Sequence, residues 1–326
     1  QTVGNSIAAT PLVRDGVVFV ASTDTYLYAF RWDTGALLAR FPTEDFITST
    51  PAIAGDRIYL GSRDGIIYAL PVAAFSRPEM ILEEWRHDSR NGVFGSLKVV
   101  GSTLYGGNQN GEVFALDTAA GIRKWVQPVG DFVDAAVAVS DETVYVSSPV
   151  GWVLALDAAT GEKRWRVEVA GGLTTAPTIM DGTVYVGTTE HPVFGNDHRV
   201  YALDAEDGTE RWTRVPPQGT STSMAAANGR VFIGTWGGVL HAFDADSGEE
   251  IYSVDLGRPV QGDPAIASGT VYTATSGGVL AGIDAVDGSE RVRFQTEAGI
   301  STAPAVVESS ILVGTLDGTV YSLVEQ

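Results

Sequence analysis

"WVLALDAATGEKRW", residues 152–165, carries an Asp, a Gly four residues later and a Trp four residues after that. The same skeleton returns as "VFALDTAAGIRKW" at 113–125 and "VYALDAEDGTERW" at 200–212, and more weakly as "LHAFDADSGEEIY" at 240–252 and "LAGIDAVDGSERV" at 280–292. A constellation copied this often along one chain is architecture rather than an active site. Each part has a structural role. Asp157 accepts backbone N–H groups in an Asx-type turn, Gly161 supplies the positive φ of that turn, and Trp165 packs between neighbouring sheets.

Working outward, a second marker precedes each copy, the large residue of a "VYVG"-like run. These markers are Phe19, Tyr59, Tyr105, Tyr145, Tyr185, Phe232, Tyr272 and Leu312, separated by 40 residues except for intervals of 46 and 47. Eight repeats follow, each a small-residue run, a Gly turn, the marker strand, a second Gly turn, an "LYALD" strand, and a last strand around Trp. Short β-branched and aromatic runs broken by Gly and Asp at this spacing predict antiparallel four-stranded units. A four-stranded sheet of this size cannot cover both of its faces alone, so eight in series predict an all-β, eight-bladed propeller occupying residues 1–326 as one domain. The runs expected innermost, "IAATP" (7–11), "ITSTP" (47–51), "VDAAV" (133–137) and "ISTAP" (300–304) among them, are built of the small residues that strands converging on an axis require. The eighth repeat ends at "TVYSLVEQ" with no fourth strand, while "QTVGNSIAATP" at the start parallels "QTEAGISTAP" at 295–304. Gln1 to Val3 are therefore expected to pair with the strand around Tyr321, closing the ring and removing an open edge.

Composition excludes several function classes. Cysteine is absent, which removes disulfides and Cys-based metal or nucleophile sites and suits a cytosolic and an exported chain equally. With 40 acids against 21 bases, the net charge of −19 argues against nucleic acid as a partner and favours solubility and a monomer. No apolar run approaches the roughly 18 to 20 residues needed to span a bilayer. Gln1 opens straight into patterned sequence, without a basic or apolar leader, so either nothing was targeted or a leader has been removed.

The Ala-x-Asp-x-x-x-Gly-x-x-x-Trp pattern resembles the tryptophan-docking motif of the PQQ-like (quinoprotein-type) eight-bladed β-propellers, and the resemblance covers essentially the whole chain. That family includes PQQ-dependent alcohol dehydrogenases, the outer-membrane assembly scaffold BamB and sensor propellers attached to bacterial receptor kinases. The dehydrogenases are longer, carry an adjacent-cysteine disulfide beside the quinone and hold calcium with carboxylate and amide ligands. This chain has no Cys and short loops. The resemblance therefore implies a non-catalytic binding or scaffold propeller outside the cytoplasmic membrane, with a receptor-kinase sensor as an alternative and a PQQ enzyme as a weaker one. No cofactor is expected.

Candidate contacts are residues that break their own column. Four positions after each marker, Arg63, Gln109 and Trp236 stand out; at the heads of the inner runs, Asp134, Gln261 and Asp263 do. All six are expected around the channel mouth, where they would take a protein or peptide partner or a small-molecule ligand. Two repeats carry insertions, "PVAAFSRPEMILEE" (71–84) and "TTEHPVFGNDHR" (188–199). His191 and His198 in the second make it a further candidate, but with Glu190 and Asp197 they match no metal-ligand spacing. His241 occupies a column of Tyr and Phe and is expected in the core, and "DADSGEE" (244–250) falls on the ordinary turn rather than forming a calcium loop. No catalytic or metal-binding residues are assigned.

Overall fold

The computed structural model describes residues 1–76, 80–140, 142–173, 175–189, 198–308 and 310–324. They form eight antiparallel sheets in chain order, seven of four strands and one of three. Blade 4 is typical: Ala138–Ser140, Thr143–Ser148, Trp152–Asp157 and Lys163–Glu168 follow one another from the innermost strand outward. In the seven four-stranded blades the two central strands are almost wholly buried and the outermost is partly exposed, as expected of sheets stacked face to face with one free edge. Innermost strands of successive blades contact one another, so the sheets radiate from a common centre as an eight-bladed propeller. Among the described residues the sole helix is the short 3-10 segment Val72–Ser76.

The turn motif joins one blade to the next. Asp157 Oδ1 accepts the N–H groups of Ala159 and Thr160 at 3.0 and 2.9 Å, as the Asx turn requires. The turn presents the carbonyl of Ala158 to blade 3, where Trp125 Nε1 donates to it at 3.0 Å and Tyr105 Oη at 3.1 Å. Trp85 and Tyr59 meet Thr118 O in the same way, Trp165 and Tyr145 meet Ala205 O, and Trp212 and Tyr185 meet Ala245 O. Trp125, Trp165 and Trp212 are buried. The motif glycine does more than supply its φ of 76°, because a Cβ on Gly161 would lie 2.7 Å from the Trp125 ring. The indole thus lies flat on bare backbone.

The joint between blades 1 and 2 departs from this plan on both sides at once. Blade 1 has Ala39 opposite Ala29, where Trp165 stands opposite Ala155 in blade 4, so no indole reaches across. Blade 2 replaces the Asp turn with Pro71 and the Val72–Ser76 helix. Phe75 from that helix is fully buried and meets the blade 1 marker Phe19 edge-on, 5.1 Å between ring centroids. The Tyr–Trp pairs of blades 2 to 5 are 5.7 to 6.0 Å apart. The first insertion is therefore a plug, supplying from blade 2 the aromatic that blade 1 lacks.

The ring closes through the N-terminus. Thr2 bridges Thr319, Val3 N–H donates to Gly318 O at 2.9 Å, and Val320 N–H donates to Gln1 O at 2.7 Å. The pairing lies at the entry to Val320–Val324, just before Tyr321.

Trp165→Ala should cost about 3 to 5 kcal/mol of stability, the range for removing a large buried aromatic, as read from denaturant unfolding. Gly161→Ala should cost clearly more than Gly55→Ala, because both have positive φ but nothing lies within 4 Å of a Cβ at Gly55. Equal losses would show that the close approach of the indole does not matter.

The turn carboxylates also tie stability to pH. Arg164, with the Thr160 N–H and hydroxyl, holds the Asp157 carboxyl down to about 2. A depressed carboxyl stabilises the fold fully above its unfolded value of about 3.9 and loses that contribution as pH falls through the folded value. Asp157→Asn keeps the Asx acceptor and removes the charge paired with Arg164 at 2.7 Å. It should lower stability at neutral pH and flatten its loss between pH values of about 4 and 2, as followed by thermal melts.

Candidate functional site

One face of the ring carries the turns between second and third strands and the loops that enter the inner strands. Backbone hydrogen bonds bind these two sets together: Thr23 N–H to Ser6 O, Arg63 to Phe46, Gln109 to Gly92, Trp236 to Gly219, Ser276 to Pro259 and Leu316 to Gly299, all at 2.9 to 3.1 Å. The turn column that holds Arg63, Gln109 and Trp236 is thereby fixed beside the heads of the inner strands. A rigid frame thus positions loop side chains of different blades around a single mouth.

Small polar side chains stitch neighbouring inner strands deeper in. Thr10 N–H donates to Thr50 Oγ1, Thr50 N–H to Ser96 Oγ, Ala176 N–H to Ser223 Oγ, and Ser223 N–H to Asp263 Oδ1 at 2.7 Å. Asp263 thus does in blade 7 what Ser and Thr do in others. Solvent reaches it, but the surrounding protein desolvates its carboxyl and raises it, against the pull of Ser223. Gln261 pairs with Ala274 two residues earlier on the same strand, Val260–Ala267, before the ladder shifts register.

Arg63, Gln109 and Asp134 come together from blades 2, 3 and 4. The Arg63 guanidinium lies over the Phe94 ring, 4.1 Å from its centroid, with Phe46 at 5.9 Å. Gly92 leaves room for this, since a Cβ there would stand 2.7 Å from the Phe94 ring. Desolvation raises the Asp134 carboxyl; Gln109 and the Arg63 charge lower it, and Asp131 adds to the rise. Arg63 Nε and Asp134 Oδ1 are both buried and have no hydrogen-bond partner among the described residues.

Trp236 stands apart from that cluster. It is half exposed and lines a cleft with Thr189, His198, Gln218 and Gly219, at the base of the second insertion. His191, with Glu190 and Asp197, lies outside the described residues. The six column-breaking residues thus divide into a blade 2–4 cluster, a blade 5–6 cleft and the Gln261–Asp263 strand.

An apolar rim escapes the column comparison. Phe46, Phe132, Val150, Trp236 and Leu316 are exposed large hydrophobic side chains, and all five sit in mouth turns or loops. The signal was present one step upstream of the inner runs, where "DF" occurs at 45–46 and again at 131–132. In both, the Asp side chain accepts the following Phe N–H, which pins the loop and sets the ring outward.

His241 is buried, stacks on Phe243 at 5.9 Å and hydrogen-bonds Glu250 through Nδ1, a core position as its column indicates. The "DADSGEE" stretch forms the ordinary turn, Asp244 Oδ1 accepting from Asp246 and Ser247. Among the described residues no three His, Asp or Glu side chains converge on a point where a metal could sit.

Similarity to known proteins follows the architecture. The chain superposes on the computationally designed Ika8 protein with a TM-score of 0.85 at 15% identity, covering 100% of this chain and 98% of that one. It matches BamB from Moraxella catarrhalis with a TM-score of 0.79 at 17% identity, over 99% of this chain and 98% of that one. For quinohemoprotein alcohol dehydrogenase from Comamonas testosteroni the TM-score is 0.76 at 16% identity, over 99% of this chain but 75% of the enzyme. These identities establish the fold alone. No curated protein matches the sequence. The family model described as outer membrane protein assembly factor BamB matches residues 1–132, 109–238 and 236–325, which together span nearly the whole chain, and the chain belongs to that family.

Proposed function

We propose that this protein is a non-catalytic binding propeller of the cell envelope that holds a protein or peptide partner on its channel-mouth face. The observation that carries this reading is that the exposed Phe46, Phe132, Val150, Trp236 and Leu316 share one face with the polar set of Arg63, Gln109 and Asp134. Exposed apolar side chains grouped on one face and interleaved with buried charge suit a partner that removes them from water. Aromatic anchors beside an arginine are the residue types that dominate binding energy at such surfaces. Family membership supports a scaffold role and an extracytoplasmic location, and no helix among the described residues is long and apolar enough to cross a membrane.

The reading is tested with the full chain immobilised and a partner captured from envelope extracts, then purified. Trp236→Ala and Phe132→Ser should each weaken its affinity by about tenfold or more, as expected of central aromatic anchors. Ile122→Ser, on an exposed turn of the opposite face, should leave it unchanged. Unchanged affinity in Trp236→Ala, with a large loss on deleting residues within 190–196, would move the contact to the second insertion. Stoichiometric quinone absorbance after adding PQQ and calcium would favour an enzyme instead.

A further inference from the structure

The blade 2–4 cluster narrows what a partner must present, an inference that rests on the mouth-binding reading above. Arg63 and Asp134 carry opposite charges at one site, and each is half-buried with solvent reaching its remainder. Their buried atoms, Arg63 Nε and Asp134 Oδ1, find no partner among the described residues, and the two side chains form no ion pair with each other. The solvent-facing remainder of each group is likewise engaged by no hydrogen bond or ion pair among the described residues, and both have already lost part of their hydration. A ligand hydrogen bond there displaces little water and acts in a lowered dielectric, where it is worth more.

The pairing of signs selects the ligand. An anion drawn to Arg63 is repelled by Asp134, and a cation drawn to Asp134 is repelled by Arg63. A neutral group with an acceptor and a donor side by side satisfies both. The Gln109 side chain, itself a primary amide, acts on the Asp134 carboxyl in this sense and lowers it. Phe46 and Phe132 flank the cluster from the loops entering blades 2 and 4 and offer exposed ring surface to a flat group. We propose that Arg63, Gln109 and Asp134 recognise the primary carboxamide of an Asn or Gln side chain on the partner. Its carbonyl accepts from the Arg63 guanidinium, and its N–H donates to the Asp134 carboxylate.

The test uses capped tripeptides, N-acetyl-Gly-X-Gly-N-methylamide with X as Asn, Asp, Lys or Ala, so that only the Asn peptide carries a primary carboxamide, together with glucose, titrated into the full-length chain and followed by amide chemical shifts. The Asn peptide should bind with a Kd on the order of 1 mM, and the Asp, Lys and Ala peptides about tenfold more weakly, the worth of one hydrogen bond to a charged group. Arg63→Met and Asp134→Leu should each abolish the preference for Asn. Because either variant could disturb folding, the ranking of peptides on the unaltered chain is the primary readout. Binding of the Asn peptide should also weaken on acidification, as the raised Asp134 carboxyl takes up its proton before ordinary carboxylates do. Equal binding of the Asp or Lys peptide, or shifts at the cluster with glucose but not with the Asn peptide, would overturn the assignment. Loss of partner capture in Trp236→Ala and Phe132→Ser with no Asn preference would retain the mouth as binding face and reject the carboxamide. Failure of both would reject the mouth reading itself.

Discussion

At the four joints from blade 2 to blade 6, a single backbone carbonyl holds neighbouring blades together. In the turn after Asp157, the Ala158 oxygen takes two donors from the adjacent sheet, the Trp125 indole and the Tyr105 hydroxyl. Around that contact the rest is obligatory. The Asp side chain must bind the turn's N–H groups so that the carbonyl points outward, and the Gly must lack a Cβ so that the indole can lie on it. The Trp and Tyr bring large apolar surfaces whose polar atoms are satisfied, so burial carries no orphaned donor. Repeated from blade 2 to blade 6, this clasp joins sheets that cannot cover their own faces into a continuous series of shared cores.

The clasp also explains where variation is allowed. Blade 6 uses Tyr252, whose hydroxyl reaches Asp284 O at 2.9 Å, with Gly288 again directly beneath the ring. Blades 1 and 2 abandon the motif together, and Phe75 fills the volume from the opposite side. A joint can therefore change its chemistry provided that an aromatic of similar bulk still occupies the space. The column four residues after each marker is under no such demand, because it is held through backbone N–H groups and not through its side chains. That freedom is why unusual residues such as Arg63, Gln109 and Trp236 collect there.

Two of the mouth's polar residues show how the same chemistry serves different ends. Asp263 fills a position where other blades use Ser or Thr, and its carboxylate ties down a neighbouring N–H group. Asp134 stands two residues nearer the mouth within its own run, and its buried oxygen ties down nothing among the described residues. Both carboxyls are raised by desolvation, but only the first is tied to a neighbouring backbone N–H.

The sequence by itself determined the number of blades, the order of their strands, the Asx turns and the buried indoles. Each depends on interactions within a repeat or on a spacing copied between repeats, and periodicity exposes both. It also indicated that the N-terminus closes the ring, since "QTVGNSIAATP" parallels the approach to another inner strand. Only the tertiary structure decided that Phe75 replaces a missing Trp, because Ala39 and the helix after Pro71 lie in different repeats and look unrelated in line. It alone separated Trp236 from Arg63, Gln109 and Asp134, placed the latter three together, and set Asp263 to stitching strands. Column position places a residue on the mouth face, but which neighbours it meets depends on the direction its side chain takes across a curved ring of eight blades.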